Sequence, residues 1–156
     1  MDVISICKNA KKACYDLNRL DTNEKNRILN LIADKLVDST GYILEENKKD
    51  IENARQNGLS ESLIDRLLLT GQRISDMAFS ARQVAELFDP VGIVLSETKR
   101  PNGMVIKKVT VPLGVIGMIY ESRPNVTVDA AVLSLKSSNC CVLRGGKKAI
   151  NTNIAL

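Results

Sequence analysis

Through the first ninety or so positions, apolar residues recur at three- and four-residue intervals with polar residues between them. Val3, Cys7, Ala10, Cys14 and Leu17 make one helical face. Asp21-Thr22 offers an N-cap, and Ile28, Leu29, Ile32 and Leu36 form the stripe of a second helix. Ser39 opens a third, which carries Ile43, Leu44, Ile51 and Ala54 and ends at Asn57-Gly58. Ser60-Glu61 opens a short fourth with Leu63, Ile64, Leu67 and Leu68. A fifth is expected from about Ser75 through Met77, Ala78, Ala81, Val84, Leu87 and Phe88, until Asp89-Pro90 stops it.

At Gly92 the period changes. Ile93 to Lys99 reads as a strand, Pro101-Asn102-Gly103 as a turn, and Met104 to Val111 as the antiparallel partner. Charges on both strands make this hairpin an arm or an edge. Gly114 to Tyr120 is a continuous apolar run, as expected of a strand buried on both faces. Thr127 to Lys136 has helical spacing, Cys140 to Arg144 reads as a second strand, and a further helix starts at Lys147. The prediction is an α/β fold: a helix-rich lead over 1–91, a hairpin arm over 92–111, and over 112–156 a βαβ unit that begins a parallel Rossmann-like sheet. Two parallel strands are not a finished sheet. The chain is therefore expected to be the N-terminal part of something longer.

Composition narrows the chemistry. The 156 residues are 44% hydrophobic and 26% charged, ordinary for a globular domain. No apolar run is long enough to span a bilayer. Met1 leads into Asp2 and a mixed-charge helix, so no secretory signal is expected. Histidine is absent, which removes Ser-His-Asp and Cys-His catalysis and His-ligated zinc from this chain. Aromatic residues at 3% argue against base stacking, and a net charge of +4 permits phosphorylated small molecules without arguing for nucleic acid. Cys7, Cys14, Cys140 and Cys141 contain no CxxC, so no metal or redox pair is expected; a reducing, cytoplasmic setting with packed thiols is. The pairs Lys11-Lys12 and Lys48-Lys49 read as solvated helix faces.

Two segments carry candidate chemistry. Arg144-Gly145-Gly146-Lys147-Lys148 follows a strand and opens a helix, where α/β sheets bind ligands and free helix amides favour anions. The glycines allow close approach, and Arg144 and Lys147 can hold ribose or phosphate. Lys148, one helical position on, turns about 100° away. The plainer reading is a tight turn with solvated lysines. Tyr120-Glu121-Ser122-Arg123-Pro124-Asn125 ends the other parallel strand. Asn125 can donate to an oxyanion and Arg123 can hold a carboxylate or phosphate. The plainer reading is a helix entry capped by Asn125 or Thr127. Cys140 and Cys141 have no base beside them and read as packing residues.

The strings Pro112-Leu113-Gly114-Val115-Ile116-Gly117, Tyr120-Glu121-Ser122-Arg123-Pro124-Asn125-Val126-Thr127, Asp129-Ala130-Ala131 and Leu143-Arg144-Gly145-Gly146-Lys147 resemble the gamma-glutamyl phosphate reductase family. Leu63-Ile64-Asp65-Arg66-Leu67 and Arg100-Pro101-Asn102-Gly103 extend the resemblance over essentially the whole chain, about the first third to two-fifths of such an enzyme. The resemblance implies an incomplete aldehyde dehydrogenase-like fold. It implies NADPH-dependent reduction of L-glutamyl 5-phosphate to L-glutamate 5-semialdehyde and phosphate in proline biosynthesis, through a cysteine thioester whose nucleophile matches neither Cys140 nor Cys141. It places Arg144 at the adenosine ribose. Lys147 then stands where many NAD-using relatives carry a ribose-binding glutamate, which favours NADPH. Cofactor contacts are expected from Tyr120, Glu121, Arg144, Gly145, Gly146 and Lys147, an oxyanion contact from Asn125 and a substrate contact from Arg123; no metal is expected. Partners implied are a second copy through hairpin 92–111 and glutamate 5-kinase, with neither nucleic acid nor membrane. The alternative is a non-catalytic nucleotide-binding or oligomerisation fragment.

Overall fold

Three side chains start helices by accepting a backbone amide: Asp2 from Ser5 at 2.6 Å, Asp21 from Glu24 at 2.8 Å and Thr70 from Arg73 at 3.1 Å. Glu24 returns the bond to the Asp21 amide at 3.2 Å, completing a capping box. A computed structural model describes residues 2–156. Its order is α1 (Val3–Leu17), α2 (Thr22–Asp38), α3 (Thr40–Gln56), α4 (Glu61–Leu67), α5 (Gly71–Glu86), β1 (Val94–Lys99), β2 (Val105–Val109), β3 (Val115–Ile119), α6 (Pro124–Lys136), β4 (Cys140–Arg144), a 3-10 turn (Lys147–Ala149) and α7 (Ile150–Ala155).

Two starts differ from the sequence reading. α5 begins at Gly71, not near Ser75, because Thr70 caps it. α6 begins at Pro124, not Thr127, because proline lacks the amide that a first turn leaves free. Arg123 takes the N-cap position without a side-chain bond, so neither Asn125 nor Thr127 caps this helix.

The main core lies where α2, α5 and α6 meet, with Ile43 of α3 joining them. Leu29, Ala33, Ile74, Ala78, Ala81 and Val132 are its centre. A smaller core joins α3, α4 and the 3-10 turn through Ile51, Ala54, Ile64, Leu67 and Ala149. β1 and β2 pair antiparallel, with Glu97 opposite Lys107, and the turn uses Gly103 at φ +85°. β3 and β4 pair parallel, from Val115 opposite Cys140 to Ile119 opposite Arg144, as the βαβ reading requires. Both sheets have two strands.

Apolar residues expected inside are in part bare. β3 is not buried on both faces: Met118 is 37% exposed and Ile119 82%, so no layer among the described residues covers the carboxyl end of this strand. In α1 only Cys14 is buried, while Val3 is 70% exposed, since this helix meets β3 and β4 but not the main core. No described helix is long and apolar enough to cross a membrane.

A buried polar cluster ties the body to the root of the hairpin. The Lys25 ammonium, 2% exposed, pairs with Asp89 at 2.5 Å and donates to Lys136 O and Ser138 Oγ. Lys136, also buried, donates to Asn26 Oδ1 at 2.6 Å and Ala85 O at 2.8 Å. Burial holds the Lys136 ammonium below its ordinary pKa, aided by the Lys25 charge and opposed by Asp89.

Candidate functional site

The two turns that leave β3 and β4 lie against each other. The Tyr120 amide donates to Arg144 O at 3.1 Å, extending the parallel ladder by one bond. Beyond it, a Cβ on Gly146 would overlap the Ser122 hydroxyl and come within 2.9 Å of the Ser122 amide. A Cβ on Gly145 would overlap the Asn153 amide nitrogen and lie 3.1 Å from Tyr120 Cζ. Neither glycine has positive φ. Contact between the turns, not backbone twist, therefore demands glycine at 146, where a backbone amide is met, while at 145 a larger residue would have to displace the Asn153 and Tyr120 side chains.

A polar chain braces this contact. Thr127 Oγ1 donates to Asn153 Oδ1 at 3.1 Å, so the Tyr120 hydroxyl, 2.7 Å away, donates to Thr127. Asn153 Nδ2 is buried and without an acceptor. Thr127, Asn153 and Ser122 escaped the sequence reading as site residues. Ser122 and Thr127 carried a signal, as members of the string from Tyr120 to Thr127; Asn153 carried none.

The amides that open α7 are not free. Asp50 of α3, 2% exposed, accepts from Thr152 N at 2.8 Å, Thr152 Oγ1 at 2.7 Å, Asn151 Nδ2 at 2.8 Å and Asn151 N at 3.3 Å. Asn47 adds a bond to Thr152 Oγ1 at 3.0 Å. The expectation of free helix amides beside Lys147 is thus corrected: a buried carboxylate from 101 residues upstream already fills that anion position. Lys147 also opens a 3-10 turn rather than an α-helix, and in that turn Lys147 and Lys148 line the same cavity, so Lys148 is not turned away.

Two cavities take most of the predicted site residues, Tyr120 and Gly145 line neither, and Lys147 and Lys148 also line a third, about 560 Å³, beside Asp50. The first, about 340 Å³, is lined by Glu121, Ser122, Gly146, Lys147 and Lys148 and, from α4 and the loop before it, by Leu59, Leu63, Arg66 and Leu67. The second, about 420 Å³, takes Arg123, Pro124, Asn125 and Asp129 from α6 and its entry, with Arg66, Arg73 and others opposite. Arg144 is exposed and lines neither. Arg123 pairs with Glu121 at 2.5 Å across the boundary, and Asn125 Nδ2 donates to Asp129 at 3.2 Å. Around the smaller cavity, Lys147, Lys148 and Arg66 have no internal acceptor among the described residues, while the one acid, Glu121, is already matched. This surplus of cations fits a phosphate-bearing group.

The thiols do not join the site. Burial pushes the Cys140 thiol up to about 11, with a hydrogen bond to the Cys14 thiol adding to the shift. Cys14 itself donates to Gly114 O at 3.3 Å. These contacts tie Cys140 to Cys14, while Cys140 and Cys141 are both half-buried and belong to neither core.

Compared with solved structures, the fold is a partial aldehyde dehydrogenase-like one. A probable aldehyde dehydrogenase from Listeria monocytogenes matches at TM-score 0.65 and 15% identity over 97% of this chain and 30% of its own, a likeness of fold alone. Gamma-glutamyl phosphate reductase from Thermotoga maritima matches far more closely, at TM-score 0.97 and 44% identity over 99% of this chain and 37% of its own. The Saccharomyces cerevisiae enzyme gives TM-score 0.89 and 40% identity over 95% and 38%. Among curated sequences, the gamma-glutamyl phosphate reductase of Carboxydothermus hydrogenoformans is 56% identical over 155 residues, and that of Anoxybacillus flavithermus 51%. The chain is thus similar to gamma-glutamyl phosphate reductases over 99% of its own length and spans 37% and 38% of the length of those two relatives. No family model matches the chain.

Proposed function

We propose that this chain is part of an NADPH-dependent reductase acting in the cytoplasm in proline biosynthesis, converting L-glutamyl 5-phosphate to L-glutamate 5-semialdehyde and phosphate. The observation that carries this reading is 56% identity to a gamma-glutamyl phosphate reductase across the whole chain. The cation surplus around Gly146 and Lys147 agrees with it. NADPH would supply the hydride when bound. Lys147 and Lys148 would hold its phosphate, with Arg144 at the ribose and Gly145-Gly146 keeping the turn low beside Tyr120 and Glu121. On the other side, Asn125 would leave Asp129 to donate to the developing oxyanion, and Arg123 would exchange Glu121 for a substrate anion. The nucleophile of this reading is neither Cys140, whose thiol is pushed up, nor Cys141. Glutamate 5-kinase, which would make the acyl phosphate, is the partner of the same reading.

The test is Lys147→Glu and Lys148→Glu in a reductase that contains this stretch, with KM measured for NADPH and NADH. Loss of the charge-assisted contact should weaken NADPH roughly ten- to a hundredfold and leave NADH nearly unchanged. An unchanged preference in both variants rejects the cofactor reading. The 156-residue chain alone should not catalyse phosphate-dependent reduction of NADP by the semialdehyde.

A second reading has its own support. Val94, Leu95, Val105 and Ile106 of the hairpin are uncovered, which favours a non-catalytic oligomerisation module. A longer protein that oligomerises but never turns over the semialdehyde would select it.

A further inference from the structure

Arg66 lines both cavities. It stands in the last turn of α4, between Ile64 and Leu67, which are buried, so its own side chain leaves the core. Every other charged group that lines the larger cavity has a partner. Arg73 is held by Asp65 Oδ1 at 2.9 Å and by the carbonyls of Asp65 and Leu68 at 2.6 and 2.7 Å. Asp76 accepts from Gln72 at 2.8 Å, Asp129 from Asn125, and Arg123 pairs with Glu121. Arg66 alone has no hydrogen bond or ion pair among the described residues, although three carboxylates line the same cavity. Its neighbour Asp65, the nearest acid in sequence, is spoken for by Arg73.

An arginine that ignores the local acids keeps five donors in a fixed planar fork. That fork matches a phosphate, which it can bind through two parallel hydrogen bonds. We propose that Arg66 is a phosphate-binding residue shared between the two cavities. It stands between the Lys147 side, where the sequence reading expects cofactor, and the Arg123 side, where it expects substrate. The identity of the phosphate rests on the reductase reading: the acyl phosphate on the Arg123 side, or a cofactor phosphate on the Lys147 side. The proposal that Arg66 binds phosphate does not depend on that choice.

The experiment is a titration of inorganic phosphate into the 156-residue chain, followed by NMR of the Asn125 and Gly146 backbone amides. These two report the larger and the smaller cavity. A saturable shift is expected at one or both, weakened roughly tenfold or more by Arg66→Gln. Arg66 is exposed and unbonded, so the variant should keep the wild-type thermal midpoint. Arg123→Gln serves as the second variant and should weaken only the shift at Asn125. Absence of a saturable shift, or equal affinity in Arg66→Gln, overturns the proposal. In a reductase containing this stretch, the same substitution should raise KM for phosphate in the reverse reaction if the ligand is the acyl phosphate, or KM for NADP if it is the cofactor. A longer protein with no such reaction, but with the phosphate shift intact, would reject the reductase reading and leave the Arg66 site standing.

Discussion

The helical body and the hairpin spend similar apolar residues in opposite ways. Leu29 and Ile74 have no exposed surface, whereas Val94, Leu95, Val105, Ile106 and Val109 are each between 44% and 58% exposed. Three helices bring three stripes to one line, so each residue there has neighbours on every side. A two-stranded ribbon has two faces and no layer above or below, and pairs such as Glu97 with Lys107 at 3.1 Å add little in water. Apolar pattern announces the period of an element. It does not announce whether another element will cover it.

The junction of the two regions gives the largest effect. Asp89 follows α5 and precedes the hairpin, and it neutralises Lys25. Asp89→Ala should cost about 3–5 kcal/mol in urea unfolding, because a buried ammonium loses its partner. Burial raises the Asp89 pKa, but hydrogen bonds from Lys25, the Val91 amide and Thr22 outweigh it, and the net shift is downward. Its contribution is therefore complete above the unfolded carboxylate value, about 3.9, and fades as pH falls through the lower folded value. Wild-type stability should drop on acidification below about pH 4 more steeply than that of the variant. Parallel curves would detach Asp89 from this role.

The body and the hairpin can then be compared directly. Leu29→Ala should cost about 2–5 kcal/mol, and Ile106→Ala no more than about 0.5 kcal/mol. A large loss at Ile106 that grows with protein concentration would show that the hairpin is covered by a second copy in solution.

The same contrast holds between glycines. Gly145→Ala should destabilise by about 1–3 kcal/mol as Asn153 and Tyr120 give way, while Gly117→Ala, which meets open space, should stay within about 0.5 kcal/mol. Equal effects would mean that the turns at Gly145 and Tyr120 do not pack in solution. The smallest effect is kinetic. At pH 8 about a thousandth of Cys140 is thiolate, given a pKa of about 11, so a thiol reagent should label exposed Cys7 first. Mass spectrometry of partially alkylated protein reads the order directly, and early labelling of Cys140 would contradict the upward shift of its thiol.

Much of the site was legible as segments and little of it as geometry. The strings from Tyr120 to Thr127 and from Leu143 to Lys147 were visible because polar residues and glycines collect where strands end. That Arg123 and Asn125 face one cavity while Gly146 and Lys147 face another was not, since the direction of each side chain depends on where α6 begins. α6 begins at Pro124, and that start carries Asn125 onto the helix, toward Asp129 one turn later.

Periodicity, turn residues and caps determined the element order, the antiparallel hairpin and the parallel βαβ unit, because each depends on neighbours within a few positions. Only the tertiary structure decided that Asp50 fills the start of α7, that Lys25 and Asp89 are joined inside, and that Arg66 stands between two cavities without a partner. The first two are contacts between residues 101 and 64 positions apart in the chain. Their energies come from burial and exact matching of donors to acceptors, which no local pattern encodes.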